Sequence, residues 1–310
     1  MSVLIKKIIC DECIEGKEKK SLIFHIIVLY CRTLYSVELL NEHYDKFYKN
    51  LLRVDPKSNF TDKQLDSIRI KCNDPSVEVL KTACLNCYLA FDLDLKIVRI
   101  QKQNLKFITS DNPVVFYNQF LPFRRMANNT GLASKGLQVF FPVSPSHLVL
   151  LYDKNVYIET KNKIIDITVP RDVEQLNRLQ FVSALHNIYF SENDYPADKE
   201  YTLACKYRRN NKMNVRRFYK NNEKENLTAF FRENIRTDLE PSFVNVLEQA
   251  KIWLSKYEQQ RFPRVAPPFR DENLFSYHQN FLKLVKEKKY DPSKFSEYII
   301  ERKFSTSQQS

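Results

Sequence analysis

The chain has 310 residues, 43% hydrophobic and 28% charged, with a formal net charge of +12. This is ordinary globular make-up, large enough to bury a substantial core as one large domain or two. Its 3 glycines, Gly16, Gly131 and Gly136, build neither a P-loop nor a dinucleotide fingerprint, and no cofactor is indicated. The positive charge, in a chain rich in Lys, Asn, Ile and Tyr, is compatible with nucleic acid or another anionic ligand as partner.

The apolar stretch within Met1 to Cys10 is too short for an export signal, and Leu22 to Cys31 is too short to span a bilayer. The expectation is a cytoplasmic protein with reduced thiols and no membrane partner. Cys10/Cys13 and Cys84/Cys87 are both C-x-x-C, the unit of a four-thiolate zinc site. About seventy residues separate the pairs, against roughly fifteen to twenty in the compact pattern. Cys84 and Cys87 also fall in an apolar helical pattern, so no shared metal is expected.

Lys17 to Arg53 reads as one long helix or two packed ones, with Leu22, His25, Ile26, Leu29 and Thr33 at helical spacing. Arg32 sits in an apolar neighbourhood, where a buried charge is paired and a surface arginine buries only its stem. Asn59-Phe60-Thr61-Asp62 caps a short helix to about Lys71, and Asp74-Pro75-Ser76 opens the next, through Val79, Ala83 and Cys87.

Strands follow. Lys96 to Gln101 and Leu105 to Thr109 pattern as a hairpin over Lys102-Gln103-Asn104, and Val114 to Tyr117 comes next. The loop Pro122 to Lys135 carries Arg124 and Arg125. Leu137 to Val143 and His147 to Tyr152 are joined by Ser144-Pro145-Ser146, and Val156 to Glu159 and Ile164 to Val169 complete the set before a helix over Arg171 to Phe190. Helices, then strands, then helices predict an α+β fold: a helical N-terminal part, a central mainly antiparallel sheet and a helical C-terminal extension.

Between two strand patterns lies Ser110-Asp111-Asn112-Pro113. Asn-Pro favours a turn, and Asp or Asn side chains bond nearby backbone to hold one. Asp111 is therefore either a turn-stabilising carboxylate or a group presented rigidly at a strand end for binding or catalysis. His147, opening a strand, and His186, on the following helix, are the histidines that pattern near it. No hydrolytic triad is visible in sequence-local form. Arg32 is expected to form an ion pair with a carboxylate, Asp111 being the first choice.

Ile108 to Val114, followed by Val139-Phe140-Phe141-Pro142-Val143-Ser144-Pro145, resembles a bacterial domain-of-unknown-function family, number 4238. That family shows a Thr-Ser-Asp-Asn-Pro turn and a Phe-Pro-Leu-Ser-Pro-like strand. Cys31-Arg32-Thr33-Leu34 sits where the family carries Arg-Thr-Pro, with Leu29 and Leu34 in place of its glutamine and proline. The usual opening His-Tyr-Val-Pro-Gln-Phe-like segment has no counterpart, so the resemblance implies an N-terminally short member. It covers roughly the first two thirds and implies no activity. Arg32, Ser110, Asp111 and Asn112 are its candidate ligand-binding residues.

Residues 196–310 read as a basic, mostly helical extension to a core over 1–195. Lys206, Arg208, Arg209, Lys212, Arg216, Arg217 and Lys220 form a run without an acidic residue, interleaved with Tyr207, Phe218 and Tyr219. That combination suits phosphate contacts with aromatic stacking, and equally a solvated basic face. Helical patterns resume over Leu227 to Lys256, Asp271 to Glu287 and Ser293 to Arg302, with Pro263, Pro267 and Pro268 as a rigid connection and Ser305 to Ser310 expected to be disordered. The leading function is ligand or nucleic-acid binding through the basic segments and the Asp111 turn. The others are a metal-dependent hydrolase or nuclease using Asp111 with His147 or His186, and a degenerate structural remnant.

Overall fold

A computed structural model describes residues 2–101, 104–121, 129–157, 162–191, 197–208, 213–218, 227–232, 239, 241–258, 268–271, 273–291 and 294–305. Five helices come first: α1 (Ser2–Ile9), α2 (Gly16–Cys31), α3 (Leu34–Val54), α4 (Asp62–Ser67) and α5 (Pro75–Asn86), the last running into a 3₁₀ turn, Cys87–Ala90. Their ends follow local chemistry. Asp11 takes φ +59° just past α1, and the N–H groups of Asp11 and Glu12 return to the carbonyls of Ile8 and Lys7 at 3.1 and 2.9 Å. This is a left-handed cap that Asp tolerates better than most residues. Thr33 separates α2 from α3, its Oγ1 accepting from Ser36 N–H. Thr61 and Gln64 form a capping box on α4, and Pro75 opens α5.

The central sheet has the order β3-β4-β5-β1-β6, from β1 (Asp94–Ile100), β3 (Val115–Tyr117), β4 (Gln138–Pro142), β5 (His147–Tyr152) and β6 (Ile164–Ile167). β1 pairs antiparallel with β5 and parallel with β6; every other pairing in this sheet is antiparallel. All residues of β4 and β5 are buried, because both faces are covered. The period-2 alternation of a strand divides them. Leu95, Ile97, Val139, Phe141, Val149 and Leu151 pack with α1, α2 and α5. Val98, Ile100, Phe140, Leu148, Leu150 and Ile167 pack with α6 (Pro170–Ser183) on the other side. The fold is α+β, as the sequence predicts.

Three local expectations are corrected. The hairpin of Lys96–Gln101 with Leu105–Thr109 does not form: β1 already has β5 and β6 as neighbours, and only β2 (Thr109–Ser110) is extended in the second segment. β2 pairs instead with β7 (Ile188–Tyr189). The helix expected over Arg171–Phe190 ends at Ser183, after which the chain turns to form β7. Leu227–Arg232, expected as helix, is a strand, β9, antiparallel to β8 (Met213–Phe218). Of the expected strand Val156–Glu159, Tyr157 forms an isolated bridge with Val246, and residues 158–159 lie outside the described residues. Pro263, Pro267 and residues 306–310 also lie outside them.

The C-terminal helices α7 (Ala197–Arg208), α8 (Glu248–Glu258), α9 (Asn273–Lys286) and α10 (Phe295–Ser305) follow or flank that ribbon. Leu239, Val244 and Ala250 join the core on the α6 side of the sheet, while Leu274 and Phe281 of α9 pack with Tyr88. Arg270 fixes this arrangement. Its side chain is 3% exposed, bonds Asp92 through Nε at 3.0 Å and Nη2 at 2.9 Å, and donates to the carbonyls of Leu89, Leu132 and Ser134. Removing the buried guanidinium leaves three carbonyls without their donor, while Asp92, 40% exposed, regains water. Arg270→Ala is expected to lower unfolding free energy by about 1–3 kcal/mol in urea titrations, and Arg270→Lys to recover little of it, because an ammonium cannot reproduce the planar fork.

Candidate functional site

The Thr109–Pro113 turn is held by three buried polar side chains of α6. Asn177, Gln180 and Ser183 recur every third residue of α6 and so share a face; they are 3%, 1% and 7% exposed. Asn177 accepts from Ile108 N–H at 3.1 Å and donates to Lys106 O at 2.8 Å. With Phe107 N–H bonded to Pro145 O at 2.7 Å, this gives the backbone of 106–108 partners other than a neighbouring strand. Gln180 accepts from Ser110 Oγ at 2.9 Å and donates to Pro113 O at 3.0 Å. Asn112 Nδ2 donates to the carbonyl and hydroxyl of Ser183, whose own hydroxyl donates to Asn112 O at 3.1 Å.

Asp111 closes the turn from the other side. Its Oδ1 accepts from Leu185 N–H at 2.9 Å, and its Oδ2 from His186 and Asn187 N–H at 2.8 and 3.1 Å. These are the donors freed when α6 stops, so the carboxylate both ends the helix and aims the chain into β7. The expected Arg32–Asp111 ion pair does not form. Arg32 is exposed, its backbone N–H caps α2, and Asp111 is engaged by main chain. His186 does lie beside Asp111, through its main-chain N–H, while its ring is exposed.

His147 belongs to a different group. Its ring is buried where β5, β1 and β6 lie side by side, with Arg99 in register opposite both His147 and Asp166. Nδ1 meets Ser146 Oγ at 2.9 Å and Ser144 Oγ at 3.2 Å; Nε2 meets Asp11 Oδ1 at 3.3 Å. Asp11 Oδ2 accepts from Arg99 Nη1, and Arg99 is also bidentate to Asp166 at 2.7 and 3.1 Å. Asp11 carries no sequence signal for this role: it is 136 residues from His147 and reads as the interior of a C-x-x-C. The Asn177–Gln180–Ser183 stripe was not legible in the sequence either, because α6 carries several other polar residues among which these three do not stand out.

The cysteines divide by burial. Cys10, Cys13 and Cys84 are exposed, and buried Cys87 donates its thiol to Cys84 O. Burial pushes the Cys31 thiol up to about 11, with Cys84 adding to it. Among the described residues no three His, Cys, Asp or Glu side chains are placed to hold a metal. No single helix among them is long and apolar enough to cross a membrane; α2 and α3 meet that test only jointly, across a 63° bend.

In the basic run, Lys206, Tyr207 and Arg208 lie in the last turn of α7, and Arg216, Arg217 and Phe218 on β8. Arg209, Lys212, Tyr219 and Lys220, like Arg124 and Arg125, lie outside the described residues.

A family model described as a protein of unknown function, DUF4238, matches residues 1–194. The chain belongs to the DUF4238 family. No curated protein and no solved structure matches it significantly. The DUF4238 match takes in the helical layer, the central sheet, α6 and β7, and so both the Asp111 turn and the His147 group; it stops before α7 and the ribbon.

Two outcomes follow. Asp111→Ala is expected to cost about 1–3 kcal/mol, because three N–H groups lose a charged acceptor and water recovers only part of it. Asp111→Asn should fall between the two, since its amide offers one acceptor oxygen; chemical denaturation with circular dichroism measures both. For Asp166, the Arg99 hydrogen bond, and then one from Gln101, hold the carboxyl below its usual range. A depressed folded value means stability present at higher pH and lost on acidification. The melting-temperature deficit of Asp166→Asn should therefore be small but constant near neutrality, and close as pH falls below about 3.9.

Proposed function

We propose that this DUF4238 member is a cytoplasmic nucleic-acid-binding protein that meets the phosphate backbone through the basic run Lys206–Lys220. The carrying observation is the distribution of charge. Residues 196–310 hold 23 basic against 15 acidic residues, and the run itself has seven cations and no acid. It spans the end of α7 and the first strand of a two-stranded antiparallel ribbon, a shape that fits a major groove. Its partner strand brings Phe230 and Phe231 into the same ribbon, where Arg216 is in register with Ala229 and Arg217 with Thr228. Cations interleaved with aromatics suit phosphate contact together with base stacking. Asp111, with both oxygens engaged by main-chain N–H groups, supports a scaffolding part in this reading better than a metal-hydrolase one.

Phosphate contacts release counterions, so affinity should fall with salt at a slope of roughly 0.9 per contact on duplex DNA. Replacing Arg208, Arg209, Arg216 and Arg217 together should lower both affinity and slope while leaving the circular dichroism spectrum unchanged. Tyr207→Ala and Phe218→Ala should matter chiefly for single strands, at about 1–3 kcal/mol per stacked base. Fluorescence anisotropy at two salt concentrations measures all of these. Unchanged affinity in the four-arginine variant, or no binding at low salt, returns the run to a solvated surface.

A further inference from the structure

We propose that Ser146 is a nucleophilic hydroxyl, activated by His147 and positioned through Asp11, that takes an acyl group from an activated ester. This activity is independent of nucleic-acid binding. The three side chains stand in line, serine to one ring nitrogen and carboxylate to the other, at 2.9 and 3.3 Å. A nucleophile beside a base that a third group orients is the general arrangement for covalent catalysis, recognised by geometry and not by chain order. In the tautomer that places the ring proton on Nε2 toward Asp11, Nδ1 accepts from the hydroxyls.

Two serines compete for that base, and their environments separate them. Ser144 Oγ already accepts the N–H groups of Ser146 and His147 at 3.3 and 3.0 Å, so its lone pairs are committed to the turn. Ser146 Oγ accepts no N–H from the described backbone and lies closer to Nδ1, with Ser144 Oγ 3.4 Å away; both serines are partly open to solvent. It is the hydroxyl with electron pairs to give. The charge count also fits. Arg99 sits between Asp11 and Asp166, so the three carry one net negative charge, which an imidazolium at His147 would neutralise.

The step balances without an oxidant or metal. The Ser146 O–H proton passes to His147 Nδ1 as Oγ bonds the acyl carbon. The ester's carbon–oxygen bond breaks, and the departing oxygen recovers the proton from Nδ1. The amides of Ser146 and His147 are turned to Ser144 and not to an oxyanion, so the geometry supports acylation of Ser146 more than rapid turnover.

The test uses the full chain and p-nitrophenyl acetate. Release of p-nitrophenolate should show a burst, and peptide mass spectrometry should place the acetyl group on Ser146 in native but not urea-unfolded protein. Ser146→Ala should abolish the burst, and His147→Gln should slow it by roughly 10²–10⁴-fold. Asp11→Asn should slow it and also move the midpoint of the rate–pH profile downward, a change that simple loss of packing would not give. The proposal is overturned if native Ser146 acquires no acetyl group, or acquires it no faster than Ser144 or than the unfolded chain. That comparison within the wild-type protein decides the matter even if a variant fails to fold.

Discussion

Backbone polar groups that leave the regular ladder must find partners, and in this protein one helix face supplies them. Asn177, Gln180 and Ser183 take up main-chain or side-chain groups of Lys106, Ile108, Ser110, Asn112 and Pro113. Asp111 returns the service to the N–H groups released at the end of α6. The exchange is reciprocal: the helix satisfies the turn, and the turn terminates the helix. Without it, 105–113 would bury unpaired amides against the sheet, a cost of about 1–3 kcal/mol for each. The small β2–β7 pairing and the entry to β3 adjoin this lock.

The central sheet explains why the lock is worth building. Its strands are covered on both sides, by the N-terminal helices on one and by α6 with C-terminal segments on the other. Apolar burial at about 25 cal/mol per Å² supplies the general driving force but has no direction. Orientation comes from a few polar anchors at the seams. Arg270 bridges Asp92 and three carbonyls, and Asp172 accepts from Ser242 N–H at 2.9 Å, drawing the segment before α8 onto α6. Both anchors join residues beyond the family match to residues within it.

Chemistry gathers away from the turn that first draws the eye. Where Arg99 of β1 stands in register with His147 of β5 and Asp166 of β6, three strands bring two opposite charges and an imidazole side by side. Asp11 reaches them from the left-handed cap of α1. The basic run lies on separate elements, α7 and β8. The proposed binding and the proposed hydroxyl chemistry thus use different parts of the chain, one outside the family match and one inside it.

Helix and strand periods, proline and capping signals, and the acid-free basic run are properties of neighbouring residues, so the sequence by itself determined the helical stretch from α2 to α5, β3, β4, β5 and the α+β class, though not α1. Thr61 with Gln64, and Pro75, mark their helix ends because capping acts within a few residues. The family resemblance likewise rested on contiguous motifs. The tertiary structure alone decided the rest. Leu105–Thr109 had the pattern of a strand, yet Asn177 satisfied its backbone from some seventy residues away. The helix toward Phe190 had no local stop, because its terminator is the carboxylate of Asp111. His147 was legible as a candidate, but its partner Asp11 was not, since no local period links positions 136 apart. Side-chain to backbone bonds between distant segments leave no periodic trace, and they fix where this chain stops, turns and gathers its charges.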